Sequence, residues 1–196
     1  MTIDLTPAAD ELAVLVAGVA DDQLSAPTPC EAMDVATLLD HIGGLSLAFT
    51  AAAAKAIPPG ATSPPEADGA TIGDGFRTDI AERLRALASA WRDPEAWTGM
   101  TVAGGLELPG EVGGLVALDE LVLHGWDLAV ATGQAFEVDP DAAEAVLGFV
   151  SSFAGPGHDD ERTGLFGPEV TVADDAPLLD RILGMAGRDP AWSPPA

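Results

Sequence analysis

The segment from Glu111 to Ala131 constrains the fold most strongly, because as a helix it would be apolar on nearly all sides. At about 3.6 residues per turn, Leu118, Val122 and Trp126 cover one side, while further valines and leucines flank the opposite side. A helix with apolar side chains all round is stable only when neighbouring elements bury it. The rest of the chain is therefore expected to supply several helices that surround this one.

Further helices are predicted from apolar spacing and from cap signals. Thr6 followed by Pro7 is typical of a capped helix start, Asp139 followed by Pro140 repeats that pattern, and Gly133 is a good C-terminal stop for the central helix. The predicted helices run from about Pro7 to Val19, Met33 to Ala56, Phe76 to Trp91, Glu111 to Ala131 and Pro140 to Phe153, with a short helix from Pro177 to Gly187.

The intervening segments carry turn signals. Two prolines in Ser25–Cys30 exclude a helix there, and Gly104-Gly105 predicts a small β-hairpin between residues 101–103 and 106–108. The Gly- and Pro-rich connection Pro58–Gly75 is expected to be irregular and to act as a lid. The chain is thus expected to be an all-α four-helix bundle over residues 1–155, with a small hairpin, and a largely irregular C-terminal extension over residues 156–196 packed on the bundle.

Charge and composition limit the partners of this chain. Eight Lys and Arg residues against 32 Asp and Glu give a net charge of −24, which disfavours nucleic acid and anionic membrane surfaces. A single cysteine cannot form an internal disulfide, and no basic residue precedes Lys55, so a cytoplasmic location is expected. Because Ser46, Thr50 and Lys55 interrupt the longest apolar run, no membrane span is expected.

Polar side chains at helical spacing identify a candidate site. Glu120, His124 and Asp127 lie on one face of the central helix, and His41 projects from an apolar stripe of the second helix. A buried carboxylate needs compensation, and facing helices of a bundle could bring His41 to Glu120 and His124. Three protein ligands with an open position are typical of a catalytic metal site. On spacing alone, a hydrogen-bonded core histidine and an ordinary i,i+4 pair are the favoured interpretations.

Short motifs add a resemblance. The chain carries Pro27-Thr28-Pro29-Cys30, then Leu38-Leu39-Asp40-His41, then Glu120-x-x-x-His124-Gly125-Trp126-Asp127-Leu128-Ala129, and finally Gly187-Arg188-Asp189-Pro190-Ala191-Trp192. Together these motifs resemble the mycothiol-dependent maleylpyruvate isomerase N-terminal-domain family of the DinB-like superfamily. The resemblance implies a DinB-like bundle that holds a divalent metal through His41, Glu120 and His124.

Two departures from the family pattern are visible. Members commonly carry a tryptophan shortly after the Pro-Thr-Pro-Cys cysteine, whereas this chain has Met33. The isomerase itself has a separate C-terminal domain, and the residues that follow the fifth helix are expected to be too few for one. Isomerisation of maleylpyruvate in particular is therefore not implied, and the substrate stays open.

The resemblance implies a thiol-dependent transferase or isomerase, in which a metal-held thiolate, from mycothiol or a similar small thiol, attacks an electrophilic substrate. Zinc is preferred from the ligand types, with nickel and iron as alternatives. A non-catalytic metal or small-ligand binding protein of the stress response is the alternative function, and hydrolysis by metal-bound water ranks last. A homodimer is left open.

Five further residues have two readings each. Asp127 either orients a ligand histidine or is a polar residue near the helix end. Cys30 could be a thiolate beside the metal but is favoured as a small buried hydrophobe and stays outside the ligand set. His158 is expected to be a solvated loop residue, with an approach to the site as the alternative. Arg162 and Arg188 could clamp an anionic ligand, although surface ion pairing is the favoured reading for both.

Overall fold

A computed structural model describes residues 2–30, 32–56 and 67–195. Over these residues the chain forms α1 (Thr6–Gly18), α2 (Val35–Ala53), α3 (Phe76–Ala90), β1 (Met100–Ala103), β2 (Leu106–Pro109), α4 (Gly110–Thr132), α5 (Pro140–Ser151), α6 (Asp159–Arg162) and α7 (Leu178–Met185). The two strands form an antiparallel hairpin, and short 3₁₀ turns lie at Asp21–Gln23, Gly69–Thr71 and Pro94–Trp97.

Helix α4 lies at the centre of the bundle, as its apolar surface predicts. Helices α1 and α2 each pack against both α3 and α4, and α5 packs on α4. Leu118, Leu121 and Leu128 of α4 are almost completely buried by these neighbours. The predicted all-α four-helix bundle with a small hairpin is therefore confirmed.

The predicted side-chain cap is present at the start of α5 but not at the start of α1. Asp139 accepts hydrogen bonds from the backbone N–H groups of Asp141 and Ala142 and caps α5, as predicted. The predicted Thr6 cap of α1 is wrong: Thr6 is the first helical residue, and Asp4 accepts both its N–H and its hydroxyl. Asp4 thus accepts the N–H of Thr6 itself, and no side chain caps α1.

Helix α2 begins later than predicted, because Asp34 caps it instead of lying within it. The Asp34 carboxylate accepts the Thr37 N–H at 2.8 Å, so Asp34 does not belong to the stripe that carries His41. The helix also ends at Ala53 rather than Ala56. At its other end α4 stops as predicted, with Gly133 in the left-handed conformation.

Helix α2 is long and apolar enough to cross a membrane by length and composition, with a mean hydropathy of 1.3 over its best window, contrary to the expectation from sequence. Ser46 and Thr50 do not interrupt it, because each hydroxyl donates to a backbone carbonyl one turn earlier, Ile42 O and Ser46 O. In this fold α2 is a core helix, with Leu38, Leu39 and Ile42 fully buried.

The connection Pro58–Gly75 is described only in its second part, since residues 57–66 lie outside the described residues. The described part contains the 3₁₀ turn Gly69–Thr71, which packs against the start of α2. The Asp68 N–H donates to the Asp40 carboxylate, and a Cβ at Gly69 would lie 2.8 Å from the Thr37 nitrogen. Apart from this turn, residues 67–75 form no helix or strand, in agreement with the predicted irregular connection, and the lid role stays a prediction.

The C-terminal part of the chain packs on the bundle through α7, which contacts α5. Arg162 is buried and donates to the carbonyl oxygens of Phe153, Gly167 and Met185. The predicted surface ion pair of Arg162 is therefore wrong: the guanidinium is buried and satisfies backbone carbonyls just after α5, at Gly167 and at the end of α7, with Glu169 Oε1 4.0 Å away. We propose that residues 156–196 form an extension that packs on the bundle of residues 1–155.

Candidate functional site

Three side chains from α2 and α4 meet at one point of the bundle. Glu120 and His124 are one turn apart on α4, and the neighbouring α2 places His41 beside them. Glu120 Oε2 lies 2.9 Å from His124 Nε2 and 3.6 Å from His41 Nε2. The two imidazole rings meet edge to face at a centroid distance of 4.8 Å. The structure thus brings together the three residues that the sequence singled out as ligands.

The ion pair of Asp127 and Arg188 contacts His124 on the side of its ring opposite Glu120. The Asp127 carboxylate is fully buried and lies 3.0 Å from His124 Nδ1. Arg188, from the C-terminal part, donates to both oxygens of this carboxylate, through Nε at 3.2 Å and Nη2 at 2.9 Å. Because Asp127 accepts the Nδ1–H of His124, the other ring nitrogen is directed at Glu120. The reading of Asp127 as a polar residue near the helix end does not describe this arrangement.

The three groups influence one another electrostatically. Burial opposes ionisation of Glu120, but hydrogen bonds from His124 and His41 outweigh it and lower the pKa of this carboxyl. Burial alone would also lower the pKa of His124, yet its hydrogen bonds to Asp127 and Glu120 raise it to about 9. Without a bound cation, the site therefore holds an ionised Glu120 against a protonated His124.

A cavity of about 600 Å³ opens in front of these residues. Helices α2 and α4 form one wall through His41, Glu120, Leu123 and His124. The opposite side comes from residues 164–168 and 186–188 of the C-terminal part, together with Pro29, Cys30 and Met33. Among the described residues of the expected lid, 67–75, none lines this cavity.

Gly187 allows the two C-terminal segments of the wall to meet. Its φ angle is +81°, and a Cβ at this position would lie 2.7 Å from the Gly167 Cα. A side chain at residue 187 would therefore clash with the opposing backbone as well as strain its own. This close approach places Arg188 where it can reach Asp127.

The donor set fits a divalent transition metal. Two imidazole nitrogens and a carboxylate oxygen are ligands that zinc, nickel and iron share. Bond lengths of about 2.0–2.2 Å put two ligands of one tetrahedral zinc roughly 3.4 Å apart. The donor atoms of His41, Glu120 and His124 all lie within 4.8 Å of one another, so only small shifts of the side chains would be needed. The Asp127 carboxylate supplies the second-layer hydrogen bond that histidine ligands usually make.

Three secondary candidates differ in where they lie. Cys30 is half-buried at the cavity wall, where burial and the Asp127 carboxylate raise the pKa of its thiol. Arg188 is not a surface ion pair, as favoured from sequence, because its partner Asp127 is fully buried. His158 lies at the start of α6 and is not among the described residues that line the cavity.

Asp119 is a cavity residue that the sequence reasoning missed. It precedes Glu120 on α4, is 5% exposed, and its Oδ1 has no hydrogen-bond partner within the described parts of the chain. Burial, together with the neighbouring Glu120 charge, raises the pKa of this carboxyl well above its usual range. An acidic residue within a stretch of the chain that is otherwise apolar could have indicated a buried carboxyl at this position.

Comparisons with known proteins agree with this architecture. The family model of the mycothiol maleylpyruvate isomerase N-terminal domain matches residues 5–129. An uncharacterized protein found in two strains of Mycobacterium tuberculosis is 31% identical over 191 residues, which cover 92% of this chain and 93% of that protein.

Among solved structures, the crystal structure of the mycothiol-dependent maleylpyruvate isomerase is similar, with a TM-score of 0.57 at 16% identity over 78% of this chain and 71% of that chain. A histidine-to-alanine mutant of the same enzyme gives the same values. At this identity the likeness concerns the fold, and it confirms the predicted DinB-like bundle.

Proposed function

Because the chain belongs to the mycothiol maleylpyruvate isomerase N-terminal domain family, we propose that it is a thiol-dependent enzyme of the isomerase or transferase type. Its cosubstrate is mycothiol or a similar small thiol, and its substrate is a small electrophile. The observation that carries this proposal is the meeting of His41, Glu120 and His124 at the wall of a 600 Å³ cavity. A cavity of this size suits a small-molecule ligand.

The three residues are proposed to hold a divalent metal ion, with zinc preferred and nickel and iron as alternatives. Such an ion favours the ionised form of a thiol that binds at its open position. His41, Glu120 and His124 act as ligands in this account, and none of them serves as the base. Asp127 keeps the Nδ1–H of His124 engaged, and Arg188 keeps Asp127 ionised.

The nucleophile is proposed to come from the cosubstrate and not from the chain. Cys30 is the only cysteine of the sequence, and the raised pKa of its thiol keeps it neutral at ordinary pH. The sulfur of the bound small thiol would instead form a bond to an electrophilic carbon of the substrate. In an isomerase the sulfur would add to a conjugated C=C bond as the π pair moves to the activating carbonyl, and after rotation about the resulting single bond the sulfur would leave as the C=C bond re-forms. In a transferase the C–S bond would remain, and either a proton would add to the neighbouring carbon or a leaving group would depart with its electron pair.

Calorimetry of thiol binding tests the proposal. We expect mycothiol to bind zinc-loaded protein with release of a proton, and to bind chelated protein at least about tenfold more weakly. His41→Ala should abolish the difference between the two forms. His158→Ala is the matched control, since this histidine is not part of the described cavity wall, and it should behave like the wild type.

Turnover separates the enzyme from the alternative function. Zinc-dependent consumption of the thiol or isomerisation of an electrophile would support the proposed activity. Thiol binding without any turnover over a panel of electrophiles would favour the non-catalytic binding role. Equal thiol affinity in zinc-loaded and chelated protein would refute the metal-dependent thiol site itself.

A further inference from the structure

Asp119 has a feature that the proposed metal site does not use. Its side chain is buried within α4 and lines the cavity, yet Oδ1 has no hydrogen-bond partner in the described residues. A buried polar atom without a partner is costly, and native proteins contain few of them. Asp119 is also not one of the three residues whose donor atoms lie close enough together to share an ion.

The surroundings of Asp119 contain few competing polar groups. Outside the three proposed ligands, the cavity walls are mainly apolar side chains and glycines, with Met33, Leu123 and Leu165 among them. Cys30 and Arg188 are the other polar side chains of the wall. The Arg188 guanidinium is already engaged by both oxygens of Asp127. Oδ1 itself has almost no accessible surface, so a ligand in this cavity would meet the Asp119 carboxyl through its other oxygen, Oδ2.

We propose that Asp119 forms a polar subsite next to the metal ligands and hydrogen-bonds an amide or hydroxyl group of the bound thiol. This inference rests on the proposed function, because it assumes that a thiol occupies the cavity. Asp119 directly precedes Glu120 on α4 and lines the same cavity, so the subsite lies in the space that the thiol would occupy. Amides and hydroxyls both donate and accept, and either can pair with a carboxyl group.

The subsite predicts a preference among thiols. Thiols that carry an amide or hydroxyl near the sulfur should bind better than plain alkyl thiols of similar reach. An apolar thiol would leave Asp119 Oδ2 unpaired in a cavity from which it has excluded water. Asp119 would thus be a specificity-determining residue for the cosubstrate.

The experiment compares two neutral thiols of equal chain length, N-acetylcysteamine and pentane-1-thiol, by calorimetry on zinc-loaded protein. The proteins are the wild type, Asp119→Leu, Asp119→Asn and the control Glu82→Gln, which removes one exposed negative charge from α3. We expect the wild-type preference for the amide thiol to fall about tenfold in Asp119→Leu, equivalent to the loss of one good hydrogen bond. Asp119→Asn should keep most of the preference, and Glu82→Gln all of it.

Two further measurements separate a binding role from a structural one. Removing the unpaired carboxyl should raise the Tm of chelated Asp119→Leu by about 3 °C or more, while the zinc affinity stays within about fivefold of wild type. An unchanged thiol preference in Asp119→Leu would overturn the subsite. A loss of zinc affinity beyond tenfold in both Asp119 variants would assign the residue to the metal and overturn it as well.

The outcome for the wild type keeps the two proposals distinguishable. If zinc-loaded wild-type protein binds neither thiol, the proposed function fails, and the subsite fails with it. If both thiols bind in a zinc-dependent way with equal affinity, only the subsite is refuted.

Discussion

Asp127 determines which nitrogen of His124 is available to a ligand or a metal. The carboxylate is fully buried, accepts the Nδ1–H of His124 and pairs with Arg188. Burial opposes its ionisation, but the hydrogen bond to His124 and the charge of Arg188 lower the pKa of Asp127. A neutral side chain at this position would weaken the hydrogen bond to the His124 imidazole and leave the largely buried Arg188 guanidinium without its counter-charge.

Asp127→Asn is therefore expected to weaken zinc binding by about 10- to 100-fold. Breaking the buried pair should also lower the free energy of unfolding by about 3 kcal/mol. Competition with a chromophoric chelator and urea denaturation measure the two effects. Asp21→Asn is the matched control, because Asp21 pairs with Arg77 at an exposed site and should change both quantities little. Wild-type zinc affinity in Asp127→Asn would contradict the positioning role.

The raised pKa of His124 predicts how metal binding depends on pH. The metal-free site holds a proton on this imidazole up to about pH 9, and a metal ligand must be neutral. Zinc binding at pH 7.5 is therefore expected to release about one proton, and the association constant should rise about tenfold per pH unit between pH 7 and 9. Calorimetry in buffers of different ionisation enthalpy counts the proton. Binding without proton release at pH 7.5 would contradict this picture.

The same shift predicts a change in the stability of the metal-free protein. Because the folded-state pKa of His124, about 9, exceeds the ordinary histidine pKa of 6.5, the protonated pair stabilises the fold fully below about pH 6.5. This contribution is lost as the pH rises through 9. Urea midpoints of chelated protein should consequently fall from pH 7 to pH 9.5. His124→Gln, which cannot titrate, should lose this part of the pH dependence.

At the scale of residues, the sequence predicts partners on one helix better than partners across the fold. The i,i+4 spacing predicted that Glu120 and His124 are neighbours on α4. The position of His41 on an apolar stripe of α2 predicted that its side chain faces the core. The role of Arg188 could not be derived, because 61 residues separate it from Asp127 and no local pattern relates the two. Asp119 was missed since a single acidic residue beside Glu120 looks like one more solvated charge.

Among the elements, α4 depends on small residues where another element approaches it. A Cβ at Gly114 would lie 2.5 Å from a carbon of the Trp97 ring. Gly148, on α5, has open space at the same position. The two glycines thus form a matched pair in which only the packing environment differs.

Gly114→Ala is expected to lower the free energy of unfolding by about 1–3 kcal/mol, because the ring and the helix must move apart. Gly148→Ala should raise it by about 0.5–1 kcal/mol through helix propensity alone. Urea denaturation measures both changes. Stabilisation of the protein by Gly114→Ala would show that Trp97 does not pack against α4 as described.

Helix ends were predicted less well than helix interiors, because single polar side chains that accept backbone N–H groups determine where a helix begins. For α5 the nearest acidic residue, Asp139, faces the first N–H groups, and the prediction held. For α1 the Asp4 carboxylate accepts the Thr6 N–H, and for α2 the Asp34 carboxylate accepts the Thr37 N–H. The apolar period of each helix does not contain this information.

For the whole molecule, the largely irregular C-terminal part supplies one wall of the cavity, which α2 and α4 line from the bundle. Arg162 ties it together by donating to three backbone carbonyls, and Arg188 fastens it to α4. Such segments have no apolar period, so the sequence predicted that they pack on the bundle but not where. The scarcity of basic residues, 8 against 32 acidic ones, makes the burial of two arginines here a feature of the fold.

Arg162→Met should loosen this wall and leave the bundle intact. We expect faster proteolysis between residues 163 and 177 and a weaker thiol affinity, since three carbonyls lose their donor. Zinc stoichiometry should stay near that of the wild type, because the proposed ligands lie on α2 and α4. Arg85→Met, an exposed substitution on α3, is the control. Unchanged proteolysis in Arg162→Met would contradict the fastening role.

The metal content of the purified protein tests the central claim most directly. Wild type, His41→Ala, His124→Ala and the control His158→Ala are purified without a nickel column, equilibrated with zinc and analysed by mass spectrometry for bound metal. The account predicts about one zinc per chain in the wild type and in His158→Ala, and almost none in the other two, with helix content preserved in all four. Equal zinc content in all four proteins would contradict it.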